Sequence, residues 1–132
     1  RPLPLAYLAY LAVLAAAGTR VVLLAHDADG LAGMVQLDLA QKANARHRAE
    51  LQKLLVHRRA RRRGLGSALM AEAEAAARAL GRWLLVLDTT GDGADDLYRG
   101  LGWTEVGPIP AYATYPDGTL CPTILFWKDV RT

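Results

Sequence analysis

The sequence predicts an α/β chain in which an antiparallel run of strands leads into one parallel strand–helix–strand unit. Two observations predict it. Short leucine- and valine-rich runs over residues 20–25, 31–39 and 50–56 are separated by turn-forming or polar residues, the pattern of an antiparallel meander. An alanine-rich run with helical spacing, Gly64 to Leu80, is then followed by the unbroken apolar run Trp83–Leu87. Such a run suits a strand covered on both faces and parallel to its neighbour. The 132 residues, 52% of them hydrophobic, suffice for the core of one domain spanning 1–132.

Residues 2–17 are apolar nearly throughout. The run falls short of the ~20 residues that a membrane-crossing helix needs. A secretory leader would account for Arg1, the apolar stretch and the small trio Ala15–Ala17. A buried helix ending at Gly18 is the preferred expectation, because alanine favours helix and glycine supplies a left-handed cap. Arg20–Ala25 is then a strand and His26–Gly30 a turn, with Asp29-Gly30 a strong hairpin signal. Leu31–Leu39 is the next strand, with Val35, Leu37 and Leu39 alternating onto one face. Residues 41–48 read as a polar loop and Glu50–Val56 as the third strand.

The helix over Gly64–Leu80 places Leu65, Leu69, Ala73, Ala76 and Leu80 on its inner face, and Gly81 caps it. Residues 50–87 thus form one βαβ unit, with a right-handed crossover expected. Residues 88–93 turn the chain. A short helix to Leu101 brings Ala94, Leu97, Tyr98 and Leu101 inward and stops at Gly102. Trp103–Val106 is a strand, Pro108–Gly118 a loop, Thr123–Trp127 the last strand, and residues 128–132 a charged tail.

A single cysteine, Cys121, excludes an internal disulfide and suits a reducing, cytoplasmic setting. His26, His47 and His57 show no metal-ligand spacing, so no metal is expected. The net charge is +3, but five of the 16 basic side chains lie within residues 58–63 and the remainder of the chain is net acidic. A local cluster of this kind favours a compact polyphosphate over a long nucleic-acid track. No aromatic side chain is interleaved with these arginines to stack on bases, so nucleic acid is not the expected partner.

That cluster sits between a strand and a helix, beside Gly64 and Gly66. Glycines remove the Cβ atoms that would keep a ligand from the backbone. Helix-start N–H groups and the positive end of the helix dipole form an anion site, and arginine adds forked, charge-assisted donors. A P-loop would need Gly-Lys-Ser/Thr after four spacers, and a Rossmann loop a third glycine where residue 69 is Leu; neither is present.

Arg61-x-x-Gly64-x-Gly66 resembles the Arg/Gln-x-x-Gly-x-Gly/Ala signature of the GNAT acetyltransferases. Tyr98-Arg99-Gly100-Leu101-Gly102-Trp103 resembles their Tyr-x-x-x-Gly-Phe segment, at the family's spacing from the first motif. The likeness covers about residues 20–128. Residues 107–113, Pro116-Asp117-Gly118 and Phe126-Trp127-Lys128 are similar to a subgroup that includes tabtoxin-resistance-type acetyltransferases. The resemblance implies a mixed, mostly antiparallel twisted sheet around a central parallel βαβ unit, with helices on both faces. The family usually begins with a strand and a helix that have no counterpart here, so an N-terminally short domain is expected. Gly91-Asp92-Gly93 stands where the family often has an asparagine.

The resemblance also implies acetyl-CoA as cosubstrate and assigns residues to it. Arg61, Arg62, Arg63, Gly64, Leu65, Gly66 and Ser67 would hold the pyrophosphate, and Arg58 or Arg59 would reach the third phosphate. The pantetheine would lie along strand 50–56, pairing with the backbone of Leu54, Leu55 and Val56, with one N–H aimed at the thioester oxygen. Tyr98, beside the coenzyme, is the candidate general acid. A phenol's ordinary pKa of about 10 exceeds a thiol's ~8.5, so it keeps its proton until the thiolate forms. A core tyrosine with a satisfied hydroxyl is the plainer alternative.

For general base, Asp88 ends one parallel strand and Glu50 begins the other. The carboxyl ends of parallel strands are where ligands bind, which favours Asp88. A turn aspartate and a solvated strand end are the plain alternatives. Tyr112, Tyr115, Tyr7 and Tyr10 are candidates to line an acceptor pocket, or else edge-of-core aromatics. The expected activity is transfer of acetyl from acetyl-CoA to a primary amine of a small molecule, such as an antibiotic or toxin. Transfer to a protein or peptide amine, and a non-catalytic coenzyme- or nucleic-acid-binding module, are the alternatives. The expected partners are a small-molecule amine, with a homodimer open, and no metal, nucleic acid or membrane.

Overall fold

The computed structural model describes the backbone of residues 9–14, 18–90 and 94–131, and the side chains of all of these but 9–14. Its strands are β1 (Ala9–Leu14), β2 (Arg20–Asp27), β3 (Gly30–Leu39), β4 (Arg48–Val56), β5 (Leu84–Thr89), β6 (Thr104–Thr114) and β7 (Leu120–Asp129). Its helices are α1 (Leu65–Ala79) and α2 (Asp95–Gly100). All seven strands join one sheet in the order β1-β2-β3-β4-β5-β7-β6, and β4–β5 is its one parallel pair.

The expected meander is present. Asp27 pairs with Gly30 across a tight turn, where the Asp27 carboxylate accepts the Asp29 N–H at 2.9 Å. Alternation puts Val21, Leu23 and Ala25 of β2, Val35, Leu37 and Leu39 of β3, and Ala49 and Leu51 of β4 into the core. Helix α1 lies across β2, β3 and β4 and buries Leu65, Leu69, Met70, Ala73 and Ala77 against them. Leu80, expected on this stripe, is 45% exposed, because it is already the helix's C-cap. Gly81 (φ +75°) follows it, with Arg82 N–H bonded back to the Ala77 carbonyl and Gly81 N–H to that of Arg78.

The same geometry ends α2. Gly102 (φ +88°) lets Trp103 N–H reach the Tyr98 carbonyl and its own N–H reach that of Arg99. The Tyr-x-x-x-Gly-Trp spacing is therefore a cap that orients a helix of only six residues. Tyr98, Trp103 and Phe126 pack with tilted rings, 5.7–6.2 Å between centroids, inside the cluster that α1 covers.

Two expectations are corrected. The apolar N-terminal run is not a helix where it is described: Ala9–Leu14 is a strand paired antiparallel with Val21–His26. Alanine's helical propensity is a weak prior, and it yields here to the unpaired backbone edge of β2. Residues 1–8 and 15–17, including Tyr7, lie outside the described residues. With a strand in that place, both described helices pack with the same buried cluster. The second correction is Pro108–Gly118, whose first seven residues continue β6 instead of looping. Two prolines suggested a loop, but β6 is the sheet's last strand, where a missing N–H is tolerated, and two register shifts absorb the irregular backbone.

Gly33 of β3 has no room for a side chain. A Cβ there would stand 2.9 Å from the Leu55 carbonyl oxygen of β4 and 2.9 Å from Leu69 Cδ1 of α1. Gly33→Ala is expected to lower stability by about 1–3 kcal/mol through overpacking, read as a fall in the urea midpoint; an unchanged midpoint would show that β4 yields at Leu55 without cost.

Candidate active site

Strands β4 and β5 pair only from Arg48–Leu84 to Glu50–Val86, and then part. The cause is local. Between its pairings with Gln36 and Met34 of β3, β4 carries two residues, Lys53 and Leu54, against the single Val35. That is a β-bulge, and Lys53 takes a positive φ of 55° to form it. The bulge bends β4 away from β5. Beyond Glu50, the β5-facing edge of β4 has no strand partner among the described residues. Residues 50–54, Leu87, Asp88 and Tyr98 line the resulting notch.

Behind the notch lies a groove of about 610 Å³ lined by Leu54, Leu55, Val56, Ala60, Arg61, Arg62, Gly64, Leu65, Gly66, Ser67, Ala94 and Leu97. Nine of the residues assigned from sequence to the coenzyme are thus brought together; Arg63 is exposed beside them. Gly64 holds φ +80° as the N-cap of α1, and the first bond of that helix runs from Ala68 N–H to the Gly64 carbonyl. The N–H groups of Leu65, Gly66 and Ser67 precede that bond and form the donor cluster of a helix start. Arg61 Nε donates to the Val56 carbonyl at 3.2 Å, which folds the loop onto the end of β4. Arg59, the alternative to Arg58 for the third phosphate, is engaged within the fold. Its Nη2 is held by Asp27 at 3.0 Å and by the Leu31 carbonyl at 2.9 Å, and this guanidinium keeps the Asp27 carboxyl below its ordinary value. Arg58, beside it, is exposed.

In front of the notch is a cleft of about 750 Å³ on the opposite side of the sheet from α1. Asp38, Arg48, Glu50 and Asp88 supply its charges. Leu84, Val86, Leu125, Trp127, Val106 and Tyr112 supply its apolar wall. Glu50 and Asp88 border both cleft and notch. The Asp88 carboxylate accepts the Thr123 hydroxyl at 2.9 Å. Burial raises the Glu50 carboxyl above its usual range, a hydrogen bond from the Gln52 side chain opposes this, and the charge of Asp88 adds to the rise. Gln52 is itself held: its Oε1 accepts from Arg20 Nη1 at 2.7 Å, which leaves its amide N–H₂ to face Glu50. Arg20 also reaches Gln36 at 3.1 Å and Asp38 at 3.6 Å.

Tyr98 lies at the notch, buried to 7% exposure. Tyr112 lines the cleft, whereas Tyr115 sits at the β6–β7 turn, its N–H bonded to the Thr119 carbonyl, away from the cleft. The side chain of Tyr10 and residues 91–93 lie outside the described residues. Sequence reasoning passed over Arg20, Gln36, Gln52, Val106 and Trp127. The parity of β4 was the available signal, since Arg48, Glu50 and Gln52 alternate with the buried Ala49 and Leu51. Among the described residues, no group of three or more His, Cys, Asp or Glu side chains could hold a metal ion.

A family model described as "Acetyltransferase (GNAT) family" matches residues 2–103. Among solved structures, a GNAT-family acetyltransferase from Streptococcus pneumoniae superposes with a TM-score of 0.75 at 28% identity, over 88% of this chain and 70% of that one. A ribosomal-protein-alanine N-acetyltransferase from Brucella melitensis gives 0.73 at 25% identity, over 83% and 68%. A Salmonella typhimurium protein solved with its cofactor acetyl-CoA shares the fold, with 0.72 at 18% identity, over 84% and 65%. The parted parallel strands, the glycine–arginine helix start beside them and the matched family model place this chain in the GNAT family of acetyltransferases, which use acetyl-CoA.

Proposed function

We propose that the chain transfers acetyl directly from acetyl-CoA to the primary amine of a small molecule, with both substrates bound at once. One observation carries this reading: groove and cleft open on opposite sides of the sheet and meet at a notch where Glu50, Asp88 and Tyr98 converge. The pyrophosphate of the coenzyme binds at the start of α1, in the N–H groups of residues 65–67 with Arg61, Arg62 and Arg63 around it. The pantetheine lies along the free edge of β4 at Leu54, Leu55 and Val56, and a β4 N–H stabilises the oxyanion as the amine attacks.

Glu50, with Asp88 beside it, takes the proton of the incoming ammonium, so that the neutral nitrogen can attack the thioester carbon. The C–N bond forms, the C–S bond breaks, and Tyr98 gives its proton to the departing thiolate. The proton lost by the tetrahedral nitrogen restores the phenol. Glu50 is preferred to Asp88 as base, because its raised pKa brings it nearer to neutrality, whereas Asp88 is anchored by Thr123. Tyr112 borders the acceptor. A protein N-terminal amine is the second reading, favoured by the likeness to the Brucella enzyme.

Gly66→Val keeps a helix-compatible residue but adds bulk to the groove floor. It is expected to weaken acetyl-CoA binding roughly ten-fold or more, a contact loss on the order of 1.4 kcal/mol, with little change in melting temperature. Full affinity by calorimetry would defeat the phosphate assignment. Tyr98→Phe should leave coenzyme affinity intact and lower kcat about 100-fold where chemistry limits the rate, the low end of general acid–base effects; full turnover would leave Tyr98 a core residue only.

Glu50 acts as a base only when ionised. As pH falls through the raised pKa of the free site, kcat/KM for the amine should therefore fall. Glu50→Gln should lower kcat about 100-fold and abolish that acid limb, and a limb that survives in the variant would assign it to another group.

A further inference from the structure

The two walls of the cleft differ in chemistry, and strand register sets the distance between them. Glu50 lies beside Val86, and Val86 beside Trp127, in one row across β4, β5 and β7. In the neighbouring row Asp88 lies beside Leu125. Neighbouring strands are about 4.8 Å apart, so an ammonium at the carboxylates has an apolar surface one strand away and an indole face two strands away from Glu50. Trp127 is 40% exposed, Tyr112 50% and Val106 65%, a contiguous aromatic and aliphatic surface in one cleft.

The charges point the same way. Asp38 is already met by Arg20, which leaves Glu50 and Asp88 as the carboxylates facing an incoming cation. The only cation lining the cleft among the described residues is Arg48, two residues before Glu50 and beside Leu84, away from the Trp127 row.

We propose that the acceptor is an arylalkylamine: a primary ammonium at Glu50 and Asp88, joined by a tether of two or three carbons to a flat aromatic body resting against Val86, Leu125, Trp127 and Tyr112. This rests on the acetyl-transfer reading above. A tether of that length crosses about one strand spacing, roughly 5 Å. The ring then covers the apolar wall, and the cation satisfies the two carboxylates. A carboxylate on the carbon next to the amine, as in an amino acid, would be set against Glu50 and Asp88. A polyamine would carry its second charge onto the apolar wall.

The test uses the full chain with acetyl-CoA and reads free thiol. Tryptamine and 2-phenylethylamine are compared with tryptophan, phenylalanine, spermidine and a short peptide with a free N-terminus. The arylalkylamines should lead in kcat/KM by roughly ten-fold or more, the scale on which a pocket separates related ligands. Trp127→Ala, and independently Tyr112→Ala on the exposed edge strand, should each raise KM for tryptamine, Trp127→Ala by roughly ten-fold as for a buried aromatic anchor, with acetyl-CoA affinity unchanged by calorimetry. Preference for an amino acid, spermidine or the peptide overturns this proposal alone, as does a tryptamine KM that neither variant alters. A chain that binds acetyl-CoA but acetylates none of these amines also overturns this proposal, and the acetyl-transfer reading falls with it only if a wider panel of amines, polar antibiotics and proteins included, releases no thiol either.

Discussion

The separation of β4 from β5 after Glu50 is the constraint on which the rest of the site depends. A sheet with every ladder closed would offer no backbone to a ligand and no passage between its faces. One additional residue opposite Val35 changes both. The positive φ at Lys53 turns the strand, the ladder to β5 ends, and that edge of β4 has no strand partner among the described residues. Because the opening lies inside the sheet, groups on opposite faces approach each other through it. Tyr98 arrives from the buried cluster, and Glu50 and Asp88 from the open cleft.

Support around that opening is shared among basic side chains that tie the protein to itself. The arginine run, uniform in sequence, divides its labour: Arg59 staples the β2–β3 hairpin through Asp27, and Arg61 secures its own loop to Val56. Arg82, 8% exposed, donates to the carbonyls of Ala40 and Arg48 and so fixes the start of β4. Lys128 bonds Glu74 of α1 and the Leu101 carbonyl that closes α2, linking the two helices through β7. Arg82 and Lys128 satisfy part-buried backbone and carboxylate groups that would otherwise lack these partners.

The elements set by local pattern were legible in the sequence: the three-strand meander, the βαβ unit, both glycine caps and the glycine–arginine loop at the start of α1. Periodicity and turn chemistry act over a few residues, and they show in the text of the chain. What was not legible depends on partners distant in sequence. Ala9–Leu14 looks helical until β2 stands beside it with an open edge. Pro108 and Pro110 look like a loop until β6 proves to be the last strand. Trp127 went unnoticed as a cleft residue, because the face a strand residue adopts in β7 follows from its register with β5 and not from its own composition. Leu80 shows a subtler failure, since its spacing was right but the helix had already ended.

The raised affinity of Glu50 for its proton has an outcome that reaches past proton transfer. A positive charge settling between Glu50 and Asp88 stabilises the ionised carboxylate that burial disfavours, and so draws the Glu50 pKa back down. Occupancy and ionisation are then reciprocal, each driving the other by the same free energy.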